Sequence, residues 1–366
     1  MTGAGSHPDG LRTGDIMPDT PPPELRAPQV GDRLGPYRLL ELLAVGGMGL
    51  VFKAYEGALD RCVAIKVLAP QVAREPGVAQ QFLNEARAAA HLRHPNIVHV
   101  YTAGQQDGLV YFAMELVVGQ SLETLLGQHQ RLHPHEAVEL VRQAALGLQH
   151  AHEQGVIHGD VKPGNLMLAE DGAIKVTDFG LARQFHAARS HTGTGDLFGT
   201  PEYVAPEVIE GRAGDQRSDL YSLGATLYRL LTGRPPFTGH SPQQILDQHL
   251  HSQPTPIPEL NPQVPAAACE IVARLMARQP AARFQNYTEL LRALDRHLAD
   301  RPLVAAPVRP SPALPTPKPN RRGTRLAAIG LAVAVALGAA ALLVRYHAKR
   351  AAGPPVPTPP PAPAVP

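Results

Sequence analysis

Four polar residues in the middle of the chain have the types and the spacing of a metal-dependent catalytic site. Asp160, Lys162 and Asn165 share one loop between a predicted helix and an apolar run, and Asp178 follows the next predicted strand. Two carboxylates and an amide oxygen are hard ligands of the kind that Mg²⁺ prefers. Each segment alone could be a polar turn beside a hairpin, but the combined spacing predicts a site that binds magnesium.

A glycine-rich turn and a lysine lie upstream, where strands are predicted. The turn at 44–51 contains three glycines, which let backbone N–H groups approach phosphate oxygens. Lys66 lies on a predicted strand that is otherwise apolar, where an unpaired buried ammonium would be costly, and Glu85 on the next predicted helix is its candidate partner. Taken singly, these features could also be a plain hairpin turn and a solvated edge lysine.

Hydrophobic periodicity predicts the elements that must position these residues. Short runs rich in β-branched and aromatic residues predict strands at 37–43, 49–54, 62–68, 98–103 and 109–115. Helical periodicity predicts helices at 78–92, 135–153, 216–232, 242–251, 266–277 and 287–299. A strand-rich first part and a helix-rich second part predict two lobes, with a cleft at 115–119.

The composition limits the function classes. The chain is 44% hydrophobic and 18% charged, and its net charge of +2 argues against nucleic-acid binding as the main role. Cys62 and Cys269 are the only cysteines, which excludes a disulfide framework and suits a reducing compartment. The 17 histidines show no spacing typical of a closed zinc site, so structural zinc is not predicted.

The ends of the chain differ from its middle. Residues 1–33 are predicted to be a disordered leader, residues 34–299 a folded domain, and residues 300–325 a proline-rich linker. Residues 326–344 contain only Leu, Ala, Ile, Gly and Val, and roughly 19 helical residues span about 28 Å, close to the hydrocarbon core of a bilayer. We therefore predict a transmembrane helix there and a short proline-rich extracytoplasmic tail at 345–366.

Further motifs follow downstream, and together they resemble a known family. They are Asp-Phe-Gly at 178–180, Gly-Thr-Pro-Glu-Tyr at 199–203, Ala-Pro-Glu at 205–207, Asp-Leu-Tyr-Ser-Leu-Gly at 219–224 and Arg-Phe at 283–284. With the glycine-rich turn, the lysine and the loop, they resemble a eukaryotic-type (Hanks-type) serine/threonine protein kinase, of the kind that bacteria anchor with a single transmembrane helix. The resemblance implies an α+β, two-lobed kinase fold, with a β-rich N-lobe at about 34–115 and an α-helical C-lobe at about 120–299.

The resemblance implies ATP as phosphate donor, Mg²⁺ or in its place Mn²⁺ as metal, and protein hydroxyl groups as acceptors. It implies that Asp160 accepts the substrate proton and Lys162, in the serine/threonine version of this loop, steadies the γ-phosphate. Asn165 and Asp178 would bind the metal. The residues implied to surround the nucleotide are Ala44, Val45, Gly46, Gly47, Met48, Gly49, Val51, Ala64, Lys66, Glu85, Met114, Glu115 and Val117. Those implied to form the structural and substrate platform are Thr200, Glu207, Asp219 and Arg283.

Some of these residues have more specific implied contacts. The backbones of Glu115 and Val117 would hydrogen-bond adenine, with Met114 gating the deeper pocket. Glu207 and Arg283 would form a buried ion pair that holds the substrate-binding segment.

The chain departs from the family pattern in two places. Gly159 stands where most regulated kinases carry an arginine that pairs with a phosphorylated residue, so we predict a basal rate that depends little on that phosphorylation. Ala44 replaces the first glycine of the usual loop, a change that ATP binding should survive. Ser190, Thr192 and Thr194 in the activation segment are predicted autophosphorylation sites, with ordinary loop residues as the alternative.

Two other functions fit parts of the sequence. A pseudokinase scaffold is disfavoured because all the implied catalytic and nucleotide-binding polar residues are present. A small-molecule phosphotransferase is disfavoured by the motifs at 199–203 and 205–207, which resemble a platform for protein substrates.

Topology follows from the chemistry, because ATP and Mg²⁺ are cytoplasmic. The chain is predicted to be a single-pass protein of the inner (plasma) membrane with its kinase domain in the cytoplasm. Gly330, Ala334 and Gly338 recur every four residues, a spacing that lets two helices pack closely. Because this spacing arises easily by chance in an alanine-rich segment, a homodimer is left as an open alternative.

Overall fold

The computed structural model describes residues 26–47, 49–179 and 200–299. Contacts divide the chain into two compact units, 1–302 and 303–366, and every described residue belongs to the first. The described strands are β1 (Arg33–Leu34), β2 (Tyr37–Gly46), β3 (Gly49–Glu56), β4 (Arg61–Leu68), β5 (Val100–Gln106), β6 (Leu109–Met114), β7 (Gly119–Ser121), β8 (Leu166–Ala169) and β9 (Ile174–Val176). The described helices are α1 (Pro70–Ala73), α2 (Val78–Ala90), α3 (Leu122–His129), α4 (Pro134–Glu153), α5 (Pro206–Ile209), α6 (Gln216–Thr232), α7 (Pro242–His251), α8 (Ile257–Leu260), α9 (Ala266–Leu275) and α10 (Tyr287–Ala299).

The first lobe is built on a six-stranded antiparallel sheet with the order β1-β2-β3-β4-β6-β5. Strand β4 is central, and its side chains alternate between the two faces because a strand has a period of two residues. Val63 and Val67 join a small apolar cluster on one face, whereas Ala64 joins the large core on the other. Lys66 has the same parity as Ala64, so it points towards the large core, on the face where α2 packs.

Folded structure begins earlier than predicted. Arg26 pairs with Asp32 at 2.9 Å, and β1 pairs with β2 through Leu34 and Tyr37, both of which are buried. The prediction of a disordered leader up to residue 33 is therefore wrong for residues 26–33. Strand β1 has only two residues, which is too short for a hydrophobic pattern to indicate a strand.

The two outer glycines of the glycine-rich turn differ in what a side chain would meet there. Strands β2 and β3 stay paired up to Gly46 and Gly49. A Cβ at Gly49 would lie 2.0 Å from the Val67 carbonyl oxygen, whereas a Cβ at Gly46 would meet only the Gly49 carbonyl oxygen at 3.8 Å. Gly49 is therefore required by the packing of β3 on β4, and Gly46 is not.

Replacing Gly49 with alanine is expected to cost about 1–3 kcal/mol of the free energy of unfolding, because the added carbon displaces β4. The matched variant Gly46→Ala should stay within about 0.5 kcal/mol of the wild type, since its site is open. Urea unfolding followed by circular dichroism measures both values. Equal losses of the free energy of unfolding in the two variants would contradict the conclusion that packing requires a glycine at residue 49 but not at residue 46.

The chain crosses between the lobes at residues 115–118. Strand β6 ends at Met114, and β7 begins at Gly119 and pairs with β8 in a second sheet of order β7-β8-β9. A Cβ at Gly119 would lie 2.1 Å from the Leu168 carbonyl oxygen, so only glycine allows this approach. The cleft predicted at 115–119 therefore lies where the chain connects a β-rich lobe to a helical lobe. The predicted two-lobed α+β fold is confirmed.

Helix α6 lies at the centre of the helical lobe. Fourteen of its 17 residues are buried, and the buried ones include the polar residues Ser218, Asp219 and Ser222. Asp215 caps its first turn and forms a capping box with Ser218, a type of contact that stabilises a helix by about 1 kcal/mol. This buried first turn also holds Asp219, which becomes important at the catalytic loop.

Helices α6, α7 and α10 have the predicted bounds, whereas other elements differ at their ends. Helix α2 ends at Ala90 and α9 at Leu275, both two residues early, and β2, β3 and β4 are longer than predicted. Strand β5 starts at Val100 rather than at residue 98, because Ile97 bridges to Val176 of the second sheet. That pairing is a tertiary contact, which no local pattern encodes.

Several predictions concern residues outside the described ranges. They include the linker at 300–325, the transmembrane helix at 326–344, the tail at 345–366, Met48 and the phosphorylation sites Ser190, Thr192 and Thr194. Among the helices of residues 26–47, 49–179 and 200–299, none has the length and the apolar character needed to cross a bilayer.

Candidate active site

One buried carboxylate fixes the catalytic loop to helix α6. The backbone N–H groups of His158 and Gly159 donate to the two carboxylate oxygens of Asp219, each at 2.8 Å. Gly159 has a φ of 76°, a conformation that costs other residues free energy. Asp219, grouped with the substrate platform in the prediction, therefore supports the loop itself.

The side chains of this loop converge on Asp160. Lys162 Nζ lies 2.7 Å from Asp160 Oδ2 and donates to Thr200 Oγ1 at 3.0 Å. The side-chain nitrogen of Asn165 donates to the carbonyl oxygen and to Oδ2 of Asp160, at 2.8 and 3.0 Å. Four residues with separate implied roles thus form one hydrogen-bonded network.

His158 has no role in the sequence-based prediction but connects this network to the segment that carries Asp178. Its Nε2 lies 2.9 Å from the carbonyl oxygen of Thr177, and its Nδ1 lies 3.1 Å from the backbone N–H of Asp160. These partners require the proton on Nε2, with Nδ1 as acceptor. The ring packs on Phe179 at a centroid distance of 4.7 Å. The only signal in the sequence is its position at the start of the loop.

Lys66 reaches from β4 to Asp178, with 2.7 Å between Nζ and Oδ1. Asp178 has a φ of 62°, which lies in the left-handed region. Burial raises the pKa of Asp178, but Lys66 and, to a smaller extent, His158 and Lys162 together outweigh burial, and the net pKa lies below the usual value. The carboxylate therefore stays charged at neutral pH.

The side-chain oxygen atoms of Asn165 and Asp178 that these hydrogen bonds do not use are suitable ligands for a hard cation. The nitrogen of Asn165 is used on Asp160, which leaves its Oδ1, and Lys66 occupies one oxygen of Asp178, which leaves the other. The N–H of Thr177 donates to the Asn165 carbonyl oxygen at 3.0 Å, so the two segments are held together. Amide and carboxylate oxygens are preferred Mg²⁺ ligands, so these residues fit the implied metal.

Glu85 is buried on α2 and has no hydrogen-bond partner for either carboxylate oxygen, and the side-chain nitrogen of the nearby Gln81 has none either. Burial raises the pKa of Glu85 to about 8, and the opposing effects of Lys66 and Gln81 are smaller. The carboxyl group is therefore uncharged at neutral pH. The predicted pair between Lys66 and Glu85 is wrong for this structure, because Asp178 already neutralises the ammonium.

Replacing Glu85 with glutamine is expected to stabilise the protein selectively at alkaline pH. A carboxyl group with a raised folded pKa contributes stability that is present below its unfolded pKa, near 4.5, and is lost as pH rises through about 8. The wild type should therefore lose on the order of a few kcal/mol that the glutamine variant keeps. Urea unfolding at mildly acidic and mildly alkaline pH measures this, with the exposed Glu170→Gln as control. A difference that does not change with pH would contradict the prediction.

The connection between the lobes holds the residues implied to bind adenine. Met114 is buried and Val117 packs against the large core. The Glu115 N–H donates to the His99 carbonyl oxygen at 2.8 Å, so the Glu115 carbonyl is the group left to face a base. The Glu115 carboxylate pairs with Lys175 at 2.7 Å. Sequence spacing could not indicate this contact, because Glu115 lies in the connection between the lobes and Lys175 lies on β9, 60 residues later.

Strands β2 to β4 supply the remaining nucleotide-binding candidates. Val51 lies opposite Lys66 in the β3–β4 register, so both side chains share the face that carries Ala64. Ala64 and Val51 contribute to the large core, whereas Ala44 and Val45 are exposed. Only the first pair therefore offers a packed apolar surface to a ligand.

A buried ion pair joins the segment after Thr200 to the end of the helical lobe. Arg283 Nη1 and Nη2 lie 2.7 and 2.8 Å from the two carboxylate oxygens of Glu207, and neither side chain is appreciably exposed. Ser218 Oγ donates to the same carboxylate at 2.7 Å, and the Arg283 guanidinium stacks 4.8 Å from the Tyr221 ring. Ser218 lies outside the quoted motifs, and Tyr221 lies in the motif at 219–224 but had no predicted role.

Comparisons with known proteins agree with this architecture. A model of the protein kinase domain matches residues 37–293. Serine/threonine-protein kinase PknB of Mycobacterium leprae (strain TN) is 38% identical over 279 residues, which cover 75% of this chain and 44% of the relative. Serine/threonine-protein kinase PknA of Mycobacterium tuberculosis (strain ATCC 25177 / H37Ra) is 37% identical over 320 residues, which cover 86% of this chain and 72% of the relative. The chain thus spans less than half the length of the PknB it matches.

Solved structures show the same likeness. The Mycobacterium tuberculosis PknI kinase domain aligns with a TM-score of 0.61 and 28% identity, over 74% of this chain and 99% of that domain. The match to the domain model covers well over half of the chain, and the chain covers more than two thirds of PknA. This chain therefore belongs to the protein kinase family, in its bacterial serine/threonine branch.

Proposed function

We propose that this protein transfers the γ-phosphate of ATP to serine and threonine hydroxyl groups of proteins. The observation that carries the proposal is the network in which Asp160 contacts Lys162 and Asn165 directly and Lys162 contacts Thr200. Phosphoryl transfer needs positioning and charge neutralisation more than covalent catalysis. This network provides a base, a cation and a metal ligand at one point.

The chemistry follows from the roles of these side chains. The acceptor hydroxyl oxygen forms a bond to the γ-phosphorus, the bond from that phosphorus to the oxygen of ADP breaks, and the hydroxyl proton passes to Asp160. Lys162 neutralises charge on the transferred group, and Thr200 holds the lysine in place. Mg²⁺ bound by Asn165 and Asp178 would neutralise phosphate charge. Lys66 is expected to exchange Asp178 for phosphate oxygens when nucleotide enters.

A phosphorylation assay tests the proposal. Purified wild type, Asp160→Asn and Lys66→Met are incubated with labelled Mg-ATP and a generic protein substrate, and acid hydrolysis identifies the modified residues. Loss of the base is expected to slow transfer by about 10²–10⁴-fold. Label on serine and threonine supports the proposal. Nucleotide binding without transfer would indicate a pseudokinase, and transfer only to small alcohols would indicate a small-molecule phosphotransferase.

Gly159 supports a weak dependence on activation-segment phosphorylation. The usual arginine is absent, and Asp219 holds the loop through two backbone N–H groups without any phosphorylated residue. The dephosphorylated enzyme is expected to keep at least about a tenth of the rate of the phosphorylated enzyme. Rates before and after phosphatase treatment measure this, and a decrease of more than about tenfold on dephosphorylation would refute it.

Phosphopeptide mapping after incubation with Mg-ATP is expected to find label at Thr192 or Thr194.

We also propose that the segment 326–344 anchors the protein in the plasma membrane, with the kinase domain in the cytoplasm. The apolar composition of the segment and the cytoplasmic supply of ATP support this. Membrane fractionation of the full chain and of a chain ending at residue 302 tests it, and equal distribution would refute it. If Gly330 and Gly338 line a dimer interface, Gly330→Ile should reduce association in a membrane reporter.

A further inference from the structure

A second cavity lies in the helical lobe, outside the nucleotide cleft. It has a volume of about 530 Å³, is open to solvent on one side, and is lined by helices α6, α7 and α9 and the segment 252–258. Typical small-molecule sites measure about 300–1,000 Å³. The volume is therefore that of a ligand site rather than of a packing defect.

The wall of the cavity is largely apolar. Phe237, Ile257 and Val272 line it together with several prolines, and no aspartate or glutamate is among its lining residues. His249 is also in the wall, almost fully buried, with its Nδ1 2.7 Å from the Tyr221 hydroxyl and its Nε2 without a hydrogen-bond partner. Burial lowers the pKa of His249 to about 4, so the imidazole is neutral at physiological pH.

Among the described residues that line the wall, Arg278 carries the only permanent charge. Its guanidinium donates to the Ser252 carbonyl oxygen at 3.2 Å, and within the described residues it has no ion pair with a carboxylate. Arg278 is exposed, so it marks the solvent side of the cavity. An apolar chamber with one unneutralised guanidinium at its open side matches a molecule with an apolar body and an anionic end.

We propose that this cavity binds a single-chain anionic amphiphile, with its hydrocarbon chain among Phe237, Ile257 and Val272 and its anionic group on Arg278. The site is separate from the nucleotide cleft, and the inference does not depend on the proposed phosphotransfer. A bound molecule would contact Tyr221, whose ring also packs on the Arg283 guanidinium. Tyr221 would therefore separate the ligand from the Glu207–Arg283 ion pair that supports the substrate segment.

The two cysteines provide a direct test, because Cys269 lines the cavity and Cys62 is exposed on β4. Residues 1–302 form a compact unit, and the PknI kinase domain was crystallised as a separate domain, so this unit is suitable. The Cys62→Ser variant leaves one thiol in the cavity, and the matched Cys269→Ser variant leaves one outside it. Alkylation by N-ethylmaleimide is followed by mass spectrometry at mildly alkaline pH, because burial raises the pKa of Cys269.

Laurate below its micelle concentration is the probe, and dodecanol is its uncharged counterpart. Laurate is expected to slow alkylation of Cys269 at least fivefold, with no effect on Cys62. Adding Arg278→Gln should weaken laurate protection at least fivefold and leave the rate without laurate unchanged. Absence of protection, equal protection of both thiols, equal protection by dodecanol, or full protection in the Arg278→Gln variant would each overturn the proposal.

Discussion

Replacing Asp178 with asparagine is expected to reduce the rate of phosphate transfer by at least about 10²–10³-fold. The substitution removes the charge that Lys66 contacts at 2.7 Å and weakens one of the two implied metal ligands. The lysine is left without a carboxylate partner, because Glu85 is uncharged at neutral pH. Initial rates with Mg-ATP and a peptide substrate measure the loss.

The control for this experiment is Asp171→Asn, which removes an exposed carboxylate from the turn between β8 and β9. Its rate should equal that of the wild type, so a loss in Asp178→Asn cannot be attributed to net charge. Nucleotide affinity measured separately distinguishes loss of binding from loss of transfer. If Asp178→Asn retained more than about a tenth of the wild-type rate, the metal-binding role of Asp178 would be wrong.

Replacing Glu207 with glutamine is expected to cost about 3–5 kcal/mol of the free energy of unfolding. Arg283 is fully buried, and its guanidinium would keep its charge while losing both carboxylate contacts. The glutamine amide oxygen can accept one of these hydrogen bonds, and the carbonyl oxygens of Ala277, Arg217 and Arg278 remain, but none of these partners is charged. The buried charge left without a counterion is the physical reason for the large loss.

Urea unfolding measures this loss, and Glu123→Gln is the matched control. Glu123 pairs with Arg229 at 3.2 Å on the surface, where an ion pair contributes about 0–1 kcal/mol. If the two substitutions cost the same, the buried pair would not be a major source of stability.

The ion pair between Glu207 and Arg283 also predicts that the free energy of unfolding decreases at acidic pH. Burial raises the pKa of Glu207, but the hydrogen bonds and charge of Arg283 together with the hydrogen bond from Ser218 outweigh it, and the net pKa is lowered. A lowered folded pKa gives stability that is present above the unfolded pKa and is lost as pH falls through the folded pKa. Glu207→Gln should therefore flatten the loss of stability at acidic pH.

Local sequence pattern predicted much of the architecture. Helices α6, α7 and α10 have the predicted bounds because caps and apolar periodicity act within one turn or one helix. The Ser241 cap of α7 and the Asp215 cap of α6 are examples of such local signals. The motif spacing likewise identified Asp160, Lys162 and Asn165, because the three lie within one short loop and must be near each other.

Tertiary structure decided the partners of residues that are distant in the chain. The apolar residues around Lys66 in the sequence indicated that it needs a negative partner. The choice of Asp178 over Glu85 depends on the position of α2 relative to β4. Gly49 resembled a phosphate-binding glycine, yet its backbone contact with Val67 is what excludes a side chain.

The loop from His158 to Asn165 combines both kinds of information. The residue types and their order indicated the chemistry, because a base, a cation and a metal ligand within one loop can act on one substrate. The position of the loop depends on Asp219, 60 residues beyond Gly159, whose carboxylate holds two of its N–H groups. Local sequence thus determined which groups are present, and long-range hydrogen bonds in a buried environment determined how they are placed, since such contacts exist only after folding.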